Sequence, residues 1–218
     1  MSKINGIYAA SVSILDENLK LDIHKTIRHA ENLIKSGCHG VVIFGSTGQS
    51  QLISLEEKFE LIQNISKSIF KDKFIIGTGL NSLQDTISLI KISNSYNFNN
   101  FLIMPPAYYM YEDKDVIRFY IKLIEKLSNC KIILYNFEKL SGYKFSKESV
   151  EKLVSLFPEN IIGVKDSSYN LYKNLKLKNF SILPGSELKL LKGLEIGCSG
   201  IITATCNVTA SLSRKVYD

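Results

Sequence analysis

Short runs of β-branched and apolar residues recur along this chain at intervals that leave room for one helix each. They occupy residues 4–9, 40–44, 74–77, 101–104, 132–135, 161–165, 181–183 and 200–203. Brief, continuously apolar runs are what strands buried on both faces look like, and such strands belong to parallel sheets. The intervening segments carry apolar residues at three- and four-residue spacing, as in Ile27, Leu33 and Ile34, or Phe59, Leu61, Ile62 and Ile65. That spacing lays one face of a helix on a sheet. Ser54-Leu55-Glu56-Glu57 reads as a capping box, Ser146 opens a later helix with a weaker form of the same signal, and Gly37, Gly79, Gly142, Gly185 and Gly197 punctuate the connections.

Eight strands alternating with helices fit a closed (β/α)8 TIM barrel, with an open doubly wound sheet as the alternative. The 218 residues suit one domain, which we take to run over 1–218. From Thr209 to Asp218 the chain reads as the opening of the last helix and then stops, so most of that helix is expected to be missing. In barrels of this kind chemistry collects at the C-terminal ends of the strands.

Composition narrows the class. No apolar run approaches the ~20 residues of a membrane span, and the opening residues lack the apolar stretch of a signal peptide, so the chain is expected in the cytoplasm. The net charge of +6 is spread over many helix surfaces, which speaks against a nucleic-acid partner. Cys38, Cys130, Cys198 and Cys206 form no CxxC pair and read as reduced, buried thiols. His24, His29 and His39 fall on the first helical segment or just before the second strand, away from the strand ends, so no metal and no cofactor is expected.

At the strand ends, Ile161-Ile162-Gly163-Val164 leads into Lys165. Burial disfavours an ammonium, and a lysine that forms a Schiff base must be uncharged when it attacks. The 27 basic residues include only three arginines, so an arbitrary lysine here is usually a surface residue; the strand-end position is what distinguishes Lys165. Ile132-Ile133-Leu134 ends in Tyr135, whose hydroxyl suits acid and base work toward a substrate oxygen, although a strand-end tyrosine is also a common core residue. Phe44-Gly45-Ser46-Thr47-Gly48 offers hydroxyls and approachable backbone amides, or is a plain tight turn. It lacks the lysine of a phosphate-binding loop.

These segments resemble the dihydrodipicolinate synthase and N-acetylneuraminate lyase family of class I pyruvate-dependent aldolases. The likeness runs through Gly45-Ser46-Thr47-Gly48-Gln49 with Leu52, Ser54 and Glu56-Glu57, then Pro105-Pro106-Ala107-Tyr108-Tyr109, then Tyr135-Asn136 to Ser141-Gly142. Gly163-Val164-Lys165-Asp166-Ser167-Ser168, Pro184-Gly185-Ser186-Glu187, Gly197 to Ile202 and Asn207-Val208 continue it in order. The resemblance implies that Lys165 attacks the keto carbon of pyruvate or another 2-oxo acid, that Tyr135 relays protons, and that Ser46 and Thr47 hold the carboxylate. It adds Gly45, Gly185, Glu187 and the backbone of Ile202 to the substrate-binding positions, and gives Tyr108 a place in a proton relay shared between subunits. It implies a 2-oxo acid and an aldehyde as partners, a homo-oligomer (dimer or tetramer), and a C-terminal helical region that this chain lacks.

Departures from the family pattern bear on the substrate. Leu140 stands where dihydrodipicolinate synthases carry an arginine for the aldehyde's carboxylate, and a leucine makes no such contact. The acidic pair of sialic acid lyases appears as Glu187-Leu188, Phe137-Glu138 replaces an apolar-proline step, and Gln49 replaces a glutamate. This favours a 2-keto-3-deoxy sugar acid aldolase. The alternatives are a synthase condensing pyruvate with aspartate semialdehyde and, from another class, a non-catalytic barrel that binds 2-oxo acids.

Overall fold

The structure is a computed structural model that describes residues 3–127 and 129–218; Met1 and Ser2, part of the leader reading, lie outside them. Eight strands form, β1 (Gly6–Ala10), β2 (Gly40–Ile43), β3 (Phe74–Gly77), β4 (Asn100–Ile103), β5 (Lys131–Asn136), β6 (Ile161–Asp166), β7 (Ser181–Pro184) and β8 (Gly200–Thr203). Each corresponds to one of the eight runs. Pairing is parallel throughout and runs in the order β7-β6-β5-β4-β3-β2-β1-β8, so the last strand returns to the first. No paired ladder joins β7 to β8. The backbone N–H of Ser199 donates to Ile182 O at 2.9 Å across that joint, which makes the sheet a nearly closed (β/α)8 barrel.

Helices α1 (Ile23–Lys35), α2 (Leu55–Ile65), α3 (Leu83–Ser95), α4 (Asp113–Ile124), a four-residue α5 (Glu138–Ser141), α6 (Lys147–Leu156), α7 (Leu190–Glu195) and α8 (Cys206–Tyr217) wrap it. The capping box is present at α2: Ser54 Oγ accepts from Glu57 N at 3.2 Å while Ser54 N donates to Glu57 Oε2 at 2.9 Å. Ser146 caps α6 by accepting from Ser149 N. Two connections differ from the sequence reading. The segment 167–180 between β6 and β7 folds as turns and bends instead of a helix. At the other end, α8 covers Cys206–Tyr217 and kinks at Thr209 (φ −115°, ψ 17°), so one short turn precedes the opening expected at that residue. Asn207 explains the early start, since its amide donates to Ala10 O and its oxygen accepts from Val12 N, pinning the first turn to the end of β1.

Residues alternate between two cores along every strand. Val42, Ile75, Leu102, Ile133, Leu183 and Ile202 point into the barrel, while Val41, Ile43, Ile76, Ile103, Leu134 and Ile201 meet the helices. Each fully buried aliphatic side chain contributes about 1.5–3 kcal/mol, and both sets are sealed from water. The inner set includes Tyr135, which lies above the aliphatic layers and sets the floor of what opens at the C-terminal rim.

Candidate active site

The β5 and β6 ends are locked in register, with Tyr135 opposite Lys165 and Asn136 opposite Asp166. Lys165 is 3% exposed, and its Nζ lies 4.1 Å from the centroid of the Tyr135 ring. The Tyr135 hydroxyl and Ser46 Oγ share a hydrogen bond of 2.8 Å. A cavity of about 570 Å3 opens over these groups, lined also by Thr47, Gly185, Ala204, Ser167, Ser168, Tyr169, Phe137, Glu138 and Lys139. An amine, a phenol and a hydroxyl in contact at the base of a water-accessible cleft are the parts needed to form a Schiff base and move its protons.

A buried polar network holds these strand ends. Asp166, with no exposed surface, accepts Asn136 Nδ2 at 2.8 Å and the backbone N–H groups of Tyr169, Leu171 and Tyr172 at 2.9 Å each. Asn136 Nδ2 also reaches Asn170 Oδ1, and Asn136 Oδ1 accepts from Phe145 N. Asn136 and Asp166 belong to the family-like segments of the sequence but carry no assigned role there, and Asn170 lies outside those segments. Their signal was an amide and a carboxylate directly after apolar runs, where a buried polar side chain persists only if it is fully hydrogen-bonded.

The loop after β2 owes its shape to Phe44, a buried residue at φ 54°. That left-handed conformation is costly for a side chain with a Cβ, and it turns Gly45 and Ser46 over the barrel mouth. Gly185 is required by close approach, because a Cβ there would lie 2.1 Å from Ser167 Oγ.

Not every candidate joins the cluster. Tyr108, at φ 83° and 87% exposed, packs edge-to-face on Tyr109 and is absent from the walls of the larger cavity, but it lines an adjoining one of about 300 Å3 that Ser46 and Tyr135 also line, with Gly45 and Leu140. Glu187 lines neither cavity; its carboxylate accepts from Thr209 Oγ1 at 2.7 Å and Ser213 Oγ at 3.3 Å on α8. Ile202 lies in the inner core, and Ala204, two residues on, is what reaches the cavity wall. Among the histidines, His29 bonds Asn207 Oδ1 and His39 accepts from Ile7 N, both remote from Lys165.

A second lysine is as deeply buried. Lys58 on α2 has no exposed surface and, among the described residues, no hydrogen-bond partner, and its Nζ lies 5.8 Å from the Phe44 ring centroid. Burial pushes its amine down to about 8, against the opposing pull of the Asp85 and Glu57 carboxylates.

The model of the dihydrodipicolinate synthetase family matches residues 3–218. The chain belongs to that family. A 4-hydroxy-tetrahydrodipicolinate synthase from Listeria monocytogenes is 30% identical over 208 residues, 92% of this chain and 69% of that protein. The dihydrodipicolinate synthase of Agrobacterium tumefaciens superposes with a TM-score of 0.90 at 26% identity, covering 98% of this chain and 77% of that one. A 2-keto 3-deoxygluconate aldolase from Picrophilus torridus shares the fold, with a TM-score of 0.89 at 24% identity over 96% of this chain and 77% of its own. Membership in the dihydrodipicolinate synthetase family makes the chain a lyase of the Schiff-base, pyruvate-dependent type. No helix among the described residues is long and apolar enough to cross a membrane.

Proposed function

We propose that this lyase condenses pyruvate with aspartate semialdehyde, and that residues 1–218 act as one catalytic barrel domain in the cytoplasm, assembled with further copies of itself. The observation that carries the reading is the Lys165, Tyr135 and Ser46 contact at the base of the larger cavity. The Lys165 amine adds to the keto carbon of pyruvate, and loss of water gives an iminium. Removal of a methyl proton leaves an enamine, whose carbon bonds to the aldehyde carbon while the aldehyde oxygen takes a proton. Hydrolysis then returns the free amine. Tyr135 carries the protons through Ser46, and Thr47 with the Gly45 backbone holds the carboxylate of pyruvate. Gly185 leaves room for the substrate, and the backbone beyond Ile202 closes the far wall.

Glu187 takes no part in this scheme within one chain, since it lines neither cavity, whereas Tyr108 shares the smaller cavity with Ser46 and Tyr135 and stands next to the relay. The sugar acid reading gives way to aspartate semialdehyde because the Listeria and Agrobacterium proteins, at 30% and 26% identity, are named 4-hydroxy-tetrahydrodipicolinate synthase and dihydrodipicolinate synthase, against 24% for the Picrophilus aldolase. Its motive, the missing arginine at Leu140, also weakens once a different cation is found in the cavity.

Borohydride added in the presence of pyruvate is expected to leave a reduced pyruvyl adduct on Lys165, read by mass spectrometry and absent from Lys165→Ala. A wild-type protein that forms no adduct would reduce the chain to a binding barrel. Turnover of a 2-keto-3-deoxy sugar acid without turnover of aspartate semialdehyde would restore the sugar acid reading.

A further inference from the structure

The proposed chemistry needs a second substrate above the pyruvate adduct, and the upper wall of the cavity shows what kind of molecule fits there. That wall is built from Glu138 and Lys139 of α5 and from Ser167, Ser168 and Tyr169 after β6. Its charges are unequal. Glu138 is neutralised by Lys144 at 2.9 Å, and its backbone N–H is held by Ser168 Oγ. Among the described residues, Lys139 has no carboxylate within ion-pairing distance. Lys189, equally without a carboxylate partner among them, stands behind the cavity wall in the turn after β7, its Nζ 5.6 Å from the ring centroid of Tyr169, a residue that lines the same cavity. Tyr169 is itself fixed, because its backbone N–H donates to Asp166.

We infer that Lys139, supported by Lys189 across the Tyr169 ring, reads a carboxylate on the aldehyde and selects acidic aldehydes over neutral ones. This rests on the pyruvate Schiff-base reading and adds to it the residues that choose the second substrate. The local helix explains why position 139 supplies the charge. In the single turn of α5, Lys139 lines the cavity over Lys165, whereas Leu140 lines the neighbouring one. A lysine ammonium is a compact point charge on a flexible stem, so it pairs with a carboxylate without the fixed fork that an arginine imposes. Ser167 and Ser168 lie on the same wall and offer hydroxyls to the remaining polar groups of such a substrate.

The test compares aspartate semialdehyde with glyceraldehyde as partners for pyruvate in wild type, Lys139→Gln, Lys139→Arg and Lys189→Gln. The ratio of kcat/KM for the acidic over the neutral aldehyde is expected to fall about fivefold or more in Lys139→Gln, chiefly through the KM of the acidic aldehyde. Lys139→Arg is expected to keep most of the ratio, and Lys189→Gln to lower it by a smaller factor. Borohydride trapping of pyruvate is run on every variant. An intact adduct with an unchanged ratio in Lys139→Gln overturns the inference while leaving the Schiff-base reading standing. A wild type that makes no adduct, or that turns over neither aldehyde, removes that reading and the inference with it.

Discussion

Two lysines in this chain are buried to nearly the same extent and do opposite things. Lys165, 3% exposed, sits at the end of β6 under a cavity, against a tyrosine whose hydroxyl continues to Ser46. Lys58, fully enclosed on α2, lies 5.8 Å from the Phe44 ring centroid with no hydrogen-bond partner among the described residues. Burial and a nearby aromatic ring are common to both, so neither marks a reactive amine. The difference lies in access and in the groups around them: one lysine opens onto space for a carbonyl and a proton carrier, while the other opens onto packed side chains. The surroundings differ in the same sense. Every polar group in the Asn136, Asp166 and Asn170 network is engaged, whereas the α2 side leaves an ammonium unsatisfied.

The comparison breaks first at Tyr135. Tyr135→Phe keeps the ring over Lys165 but removes the link to Ser46, and turnover is expected to fall about 10²- to 10⁴-fold, the range for a positioned acid-base group. Steady-state rates in the two proteins decide it, and an unchanged kcat would leave Lys165 with no more claim to chemistry than Lys58. Next in size is Asp166→Ala, which strands three backbone N–H groups and the Asn136 amide in a buried site. The loss should be about 3 kcal/mol or more in a urea melt, with turnover falling as the β5 and β6 ends loosen. A change under 1 kcal/mol would mean the network is not what separates the two regions.

The smallest effect sharpens the other half. Lys58→Met fills the same space without a charge and is expected to stabilise the chain by about 2–3 kcal/mol near pH 7. The sign follows from the depressed amine. Below about 8 the folded and unfolded chains both hold the proton, so the full cost of burying it is present. Between about 8 and the ordinary 10.5 the unfolded chain binds a proton that the folded one does not, so wild-type stability climbs with pH and the gap to Lys58→Met closes. Melts from pH 6 to 10 that keep a constant gap would show that Lys58 finds a partner in solution.

Much of this was legible in the sequence because strands and catalytic strand ends leave one-dimensional marks. Runs of β-branched residues mark all eight strands, the strand-end rule points to Lys165, Tyr135, Ser46 and Thr47, and the family resemblance adds Gly185, all five of which line one cavity. What escaped depends on directions that spacing does not encode. Glu187 follows β7 as expected, yet its side chain turns to hydroxyls on α8, a helix expected to be mostly absent. Lys139 and Leu140 are adjacent, and only the single turn of α5 sends them to different cavities. Lys58 stands one residue from the apolar Phe59 in a helix whose buried face includes it, against the usual preference of lysine for solvent. A helix over 167–180 is expected only from the alternation of strands and helices, whereas the segment turns back on Asp166, whose carboxylate accepts the backbone N–H groups of Tyr169, Leu171 and Tyr172.

The unladdered joint between β7 and β8 has a consequence for the shape of the reaction chamber. Gly185 and Ala204, the residues just past those two strands, stand on either side of it. Everywhere else, spreading the rim would break rows of strand-to-strand bonds; here it breaks few. A bulkier guest is therefore accommodated most cheaply by parting the staves at that one place, beside β6, the strand that carries the amine.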